Sequence, residues 1–181
     1  MIRKPYPPGQ SGKRQKRSFS EYGRELLEKQ KLKNWYNLEE NQFKRYVKEA
    51  LSKRREEGKD AESFLIQKLE SRFDNVVFLL GFATSRSQAR QFISHGHFLI
   101  NGKPDNFPSR QIKKGDKIRL KPSSQKKTIF KGIQEKLKKH QPPSWLKIDP
   151  EKLEGEVIRK PSLEEAAPVA ETSAIFEYYS R

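Results

Sequence analysis

The chain has 181 residues, with 39 Lys and Arg against 23 Asp and Glu, a formal charge of +16 at neutral pH. Such a balance calls for a polyanion, and because no apolar run approaches the roughly 18 residues that suggest a membrane span, nucleic acid is favoured over a lipid surface. Cysteine is absent, which excludes disulfides, thiolate zinc sites and a cysteine nucleophile.

Only 33% of residues are hydrophobic, below the roughly 45–50% of an average globular domain. Two small domains with modest cores, partly covered by a partner, are therefore expected. Charge is unevenly spread. Residues 1–20 carry six basic residues and no acid, residues 61–148 carry 18 basic against 6 acidic, and residues 149–181 carry 4 against 8. The last segment is expected to fold back on basic protein or to face solvent.

Residues 1–17 combine Pro5, Pro7, Pro8, Gly9 and Gly12 with Lys13, Arg14, Lys16 and Arg17, the composition of an extended basic arm that neutralises phosphates. The segment lacks the apolar core of a secretory signal, and its Pro and Gly oppose the amphipathic helix of a mitochondrial presequence. Ser18 and Glu21 have capping-box spacing, so a helix is predicted over 19–33, ended by residues 34–37. Phe43, Tyr46, Val47, Ala50 and Leu51 recur at helical intervals before Gly58, with Lys44, Arg45, Lys48 and Arg55 on the opposite, basic face. Asp60 can cap a third helix through Phe64, Leu65, Lys68 and Leu69, and Asp74 can start a short fourth that ends at Gly81.

Ser85 and Gln88 again match a capping box, opening a helix with Ala89, Phe92 and Ile93 inward and Gly96 as its stop. After Gly96 the period becomes alternating: Phe98 to Ile100, then Asn101 and Gly102, signals a type I′ hairpin. Ile118 and Leu120 mark another strand after the turn at Gly115. A further helix is predicted from Ile129, Ile133 and Leu137, spaced by four, leading to Pro142, Pro143 and Trp145. Residues 160–173 look like a linker, and the stretch from Ala174 is too apolar for a loose tail. The predicted fold class is α+β: an all-helical domain plus a small domain with helices packed on a mainly antiparallel sheet.

Arg86 and Arg90 are four apart and share one face of their helix. A capped helix N-terminus offers N–H groups with partial positive charge, which together with the two guanidiniums suits phosphate oxygens. A solvated helix face is the plainer reading of the same spacing. His95, His97 and His140 fall short of the roughly four ligands of a zinc site, so a turn histidine contacting RNA or backbone is the preferred reading, with no metal or cofactor. Gly9, Gly12 and Lys13 are too few and too poorly framed for a phosphate loop, and the helices that flank a KH-type loop are missing.

The stretch from Arg72 to Lys103 resembles the S-four RNA-binding domain, or alpha-L motif, through Arg72, Asp74, Val76, Ser85, Arg86, Ala89, Arg90, Gly96, Asn101 and Gly102. The segment from Pro7 to Val47 and the closing EYYSR resemble the bacterial small-subunit ribosomal protein S-four family, so the likeness spans nearly the whole chain. It implies a division into a basic arm (1–17), a helical rRNA-binding domain (18–72), an alpha-L domain with its extension (73–159), and a linker and tail (160–181) packed back on the helical domain. It also implies a cytoplasmic, ribosome-bound protein of a bacterium, with an organelle as the less favoured alternative, without cofactor or catalysis, that binds the 5′ domain of small-subunit rRNA and nucleates assembly. Neighbouring small-subunit proteins of the S-five type and mRNA, at the channel through which it enters, would be further partners, with an effect on fidelity.

Because the deep groove of A-form RNA is closed to side chains, junction binding would rest on phosphate and shape. Lys13, Arg14, Lys16, Arg17, Arg72, Arg86, Gln88, Arg90, His95 and Lys103 are the expected contacts. Family members often begin with an additional stretch, sometimes bearing zinc-binding cysteines, that has no counterpart here. Phe73 stands where the family commonly has Leu, and residues 161–172 are less typical. The alternatives are an rRNA-modifying enzyme that uses the alpha-L motif for targeting, which would need a catalytic domain for which no pattern is visible, and a heat-shock-type RNA-binding factor, which would sediment with large rather than small subunits.

Overall fold

The computed structural model describes residues 20–58, 60–166 and 170–180. The basic arm, with Lys13, Arg14, Lys16 and Arg17, lies outside them, as does Ser18. The first helix, α1 (Glu21–Trp35), is capped by Ser20 instead, whose hydroxyl accepts from the Gly23 N–H. α2 (Glu40–Glu57) ends in a left-handed Gly58 at φ 63°, and α3 (Ala61–Glu70) starts on Asp60, whose carboxylate accepts from the N–H groups of Glu62 and Ser63. These helices bury Leu32, Phe43, Val47, Ala50, Leu65, Ile66 and Leu69 in one core. The same core receives Ile175 from the last helix, α9 (Thr172–Ser180). Between them lies a single-turn α8 (Leu163–Ala166).

α4 (Phe73–Leu79) and α5 (Arg86–Ser94) belong to a second core. α4 begins one residue earlier than predicted, with Arg72 at its N-cap. Asp74 is in the first turn, and its carboxylate serves other partners. α5 stops at Gly96, at φ 70°. β1 (Phe98–Ile100) and β2 (Lys103–Pro104) pair across Asn101 and Gly102, both at positive φ as a type I′ turn requires. β3 (Lys117–Leu120), β4 (Leu146–Asp149) and β5 (Glu154–Val157) complete an antiparallel sheet in the order β2-β1-β3-β5-β4. Its inner face presents Phe98, Ile118, Leu120 and Val157 to α4 and α5.

The helix predicted through Ile129 and Leu137 is broken. A short α6 (Pro122–Gln125) and a 3-10 turn (Thr128–Phe130) precede α7 (Ile133–Lys139), because Gly132 at φ 75° takes the chain out of helical geometry. Phe130 then fills the core while Ile129 is 55% exposed. The fold class is α+β. None of the described helices is long and apolar enough to cross a membrane.

Candidate nucleic-acid interface

The two cores meet at a polar joint. Arg72 was expected to touch RNA, but it is 1% exposed and turns inward. Its Nε and Nη2 donate to the two carboxylate oxygens of Asp74 at 3.0 and 2.7 Å, and its Nη1 donates to the Tyr46 hydroxyl at 2.7 Å. Burial would favour the neutral guanidine, yet the Asp74 carboxylate outweighs it and holds Arg72 charged. Arg72 therefore ties α2 to α4, with almost all of its surface taken up inside the chain.

Arg90 approaches the same carboxylate from α5, with Nε and Nη2 at 3.2 and 3.0 Å from Asp74 Oδ2. Its side chain stays 30% exposed and lines a crevice of about 270 Å³ with Glu39, Gln42, Arg72, Pro108 and Ser109. Arg86 donates from Nε to Asn75 Oδ1 at 2.8 Å, and its guanidinium lies 5.0, 5.2 and 4.6 Å from the ring centroids of Trp35, Tyr36 and Phe78. Among the described residues its two Nη groups make no hydrogen bond. Burial lowers its pKa, opposed by the nearby Glu70 carboxylate.

Glu70 is itself 4% exposed. It accepts from the Tyr36 hydroxyl and from Asn75 Nδ2, and burial pushes its pKa up despite these bonds. Two relays thus cross the joint: Tyr46–Arg72–Asp74–Arg90, and Tyr36–Glu70–Asn75–Arg86. Both end on α5, and both fix its orientation relative to the helical core.

Ser85 caps α5 by accepting from the Gln88 N–H at 3.2 Å. Gln88 returns the bond one residue earlier than a capping box would, its Oε1 accepting from the N–H and hydroxyl of Thr84 at 2.7 and 2.9 Å. Asn37, in the turn after α1, donates from Nδ2 to Ser87 Oγ at 2.9 Å. The result is an open crevice at the N-terminal end of α5, in which α1 and α5 each supply one wall.

His95 is exposed at the other end of α5, roughly 13 Å along the axis from Arg86, and Lys103 is exposed on the sheet edge. Arg86 and Arg90 are therefore one turn apart on α5 but line separate crevices, Gln88 turns back to Thr84, and His95 and Lys103 are not grouped with them. His97 is buried against Ser124, with Nδ1 and Oγ 2.9 Å apart, and burial together with Lys127 and His95 lowers its pKa. No group of three His, Asp or Glu residues among those described could hold a metal. On the outer sheet face Lys117 and Arg119 of β3 stand opposite Glu156 and Glu154 of β5, so that face is mixed in charge.

Sequence reasoning missed Trp35, 49% exposed beside Arg86, and the joint partners Tyr36, Tyr46, Glu70 and Asn75. A helical aromatic carries no mark of exposure in its spacing, and Glu70 reads as an ordinary surface acid.

Comparison with known proteins followed the same division. Residues 71–118 match the family described as "S4 domain", and residues 1–70 match "Ribosomal protein S4/S9 N-terminal domain". The chain is 42% identical over 184 residues to "Small ribosomal subunit protein uS4" of Roseiflexus sp. (strain RS-1), covering 100% of this chain and 87% of that protein. The protein of the same name from Halothermothrix orenii is 45% identical over 179 residues, 99% of this chain and 84% of that one. The one from Rubrobacter xylanophilus is 43% identical over 182 residues, 100% and 87% of the two chains.

Proposed function

Because the chain belongs to the small ribosomal subunit protein uS4 family, a family of ribosomal constituents rather than enzymes, we propose that it binds the 5′ domain of small-subunit rRNA and nucleates assembly there. On this reading it acts in the cytoplasmic ribosome of a bacterium, beside small-subunit proteins of the S-five type. It borders the channel through which mRNA enters and contributes to fidelity. The four-part division of the chain into arm, helical domain, alpha-L domain and returning tail is part of the same proposal.

The observation that supports it best is the end of α5. Arg86 and Arg90 project from one helix face and are held by Asn75 and Asp74 rather than left to swing, next to a helix N-terminus whose first N–H groups favour anions. Preorganised donors of this kind suit phosphate oxygens of a folded RNA. Lys13, Arg14, Lys16 and Arg17 would add contacts from the arm.

The test is binding to a 5′-domain transcript against large-subunit rRNA across a salt titration. If 6–10 phosphates are neutralised, affinity falls by roughly 10³–10⁵ between 50 and 200 mM salt on the duplex-DNA scale. The Arg86→Ala, Arg90→Ala double variant, with its fold checked by circular dichroism, binds more weakly and shows a shallower salt slope. Equal affinity for both RNAs, or a flat salt response, would overturn the assignment.

A further inference from the structure

Trp35 is the last residue of α1. Its neighbours Leu32 and Tyr36 fill the helical core at 0% and 2% exposure, whereas the Trp35 side chain is left 49% exposed. One face of the indole lies against the Arg86 guanidinium, 5.0 Å from the ring centroid. That guanidinium is held by Asn75 and backed by Phe78 at 4.6 Å, so one face of the indole rests on a fixed group while the rest is open. The crevice beside it has a volume of about 350 Å³ and is lined by Asn34, Trp35, Asn37, Thr84, Arg86 and Ser87 among others.

We propose that this crevice is a stacking site for one unpaired RNA base, carried by Trp35 at the joint between the helical and alpha-L parts. The inference rests on the rRNA-binding reading and specifies what that reading leaves open, namely that the site takes an extruded nucleotide as well as backbone phosphate.

Three features point to a nucleotide. Its occupant must offer a flat π-face to the indole, and base–aromatic stacking tolerates any base. The Asn34 amide, the Asn37 carbonyl oxygen and the Ser87 hydroxyl hydrogen, which remain after Asn37 Nδ2 donates to Ser87 Oγ, are donors and acceptors of the type that read a splayed-out base on its edges. The Nη groups of Arg86 and the first N–H groups of α5 supply the anion-binding side. An aromatic ring, hydrogen-bonding edges and an anion in one ligand describe a nucleotide better than any single amino-acid side chain. The Arg86 contact on one face of the ring reduces the conformational freedom to be lost on docking.

The sequence contains two tryptophans, and Trp145 is 2% exposed, which gives the experiment its readout. The full chain and its Trp35→Phe variant are titrated with the 5′-domain transcript and with a blunt, uninterrupted RNA duplex, following both affinity and fluorescence. The Trp35-dependent emission, taken as the difference between the two proteins, is expected to be quenched by the transcript and unaffected by the duplex. Trp35→Ala should weaken transcript binding roughly 5- to 150-fold, the range for loss of one base–aromatic stack, while Trp35→Phe retains most of the affinity. Transcript binding that leaves Trp35 emission unchanged and is undiminished in Trp35→Ala would overturn the stacking site while leaving the rRNA reading standing. Failure of the transcript to bind any of the proteins would remove both.

Discussion

Asp74→Ala should be among the most destabilising single substitutions in this chain. The carboxylate is 2% exposed and accepts five hydrogen bonds. Arg72 Nε and the Asn75 N–H reach Oδ1 at 3.0 and 2.9 Å, and Arg72 Nη2 together with Arg90 Nε and Nη2 reach Oδ2 at 2.7, 3.2 and 3.0 Å. Removing it strands the Arg72 guanidinium at 1% exposure, with the Tyr46 hydroxyl as its remaining side-chain partner. Breaking a buried pair from one side costs about 3–5 kcal/mol, because the surviving charge is left uncompensated. Against a typical total of about 5–15 kcal/mol, that is a large fraction of the stability.

The assay is equilibrium urea unfolding in a Trp35→Phe background, followed by emission of buried Trp145. The double variant Arg72→Met, Asp74→Leu should recover much of the loss, since replacing both members of a buried pair with apolar groups is often neutral, and Arg90 can turn to solvent. A change under about 1 kcal/mol for Asp74→Ala, or a double variant no better than the single, would refute the view that the pair matters through uncompensated burial.

Glu40 joins the tail to the helical core, accepting from Lys29, Lys33 and Tyr179. Burial alone would raise its pKa, but these bonds together hold it at about 2. The unfolded chain therefore binds more protons between the ordinary value of 4.5 and about 2, and stability falls as pH drops through that window. In Glu40→Gln that acid dependence should flatten, with hydrogen exchange of α9 amides at pH 6 and pH 3 as the measurement. A second effect is steric: a Cβ added at Gly155 would lie 2.4 Å from Leu80 Cδ1, and Leu80 is fully buried. Gly155→Ala is accordingly expected to lower stability by about 1–3 kcal/mol, the range for overpacking a filled core, read from the urea midpoint. An unchanged midpoint would mean that Leu80 swings aside freely.

Where one residue type at one spacing decides the local structure, the sequence was readable. The α2 stripe of Phe43, Tyr46, Val47 and Ala50 is buried as its period requires. Asn101 and Gly102 make the turn their positive φ values permit. β4 and β5 left no such trace. Each is four residues long, and Glu154-Gly155-Glu156-Val157 lacks the β-branched or aromatic run that marks a strand. Gly155 is used there because Leu80, just after α4, occupies the space above it, a long-range constraint that no window can report. The broken helix before Pro142 has the same character: Ile129, Ile133 and Leu137 satisfy the period, but the left-handed Gly132 between them wins, and Phe130 takes the buried place.

The joint was hidden for a different reason. Arg72, Asp74, Arg86 and Arg90 are the residues that carry the resemblance to an RNA-binding motif, and charge alone suggests that all four face outward. In the folded chain Arg72 and Arg90 face Asp74, and Arg86 faces Asn75, before any of them faces solvent. Buried, mutually satisfied charges are indistinguishable in sequence from solvated ones, since pairing partners such as Tyr46 and Asn75 have no fixed spacing from them. The joint thus fixes the angle at which α5 meets the helical core, and on the proposed reading an anion would be bound by what that arrangement leaves unbonded: the Nη groups of Arg86, the exposed part of Arg90, and the N–H groups at the start of α5. A variant that keeps every positive charge but frees α5, such as Asn75→Ala, would on this argument weaken RNA binding more than removal of an exposed lysine elsewhere on the surface. On the proposed reading, the basic composition would supply attraction, and the buried polar joint the geometry in which that attraction becomes selective for one RNA shape.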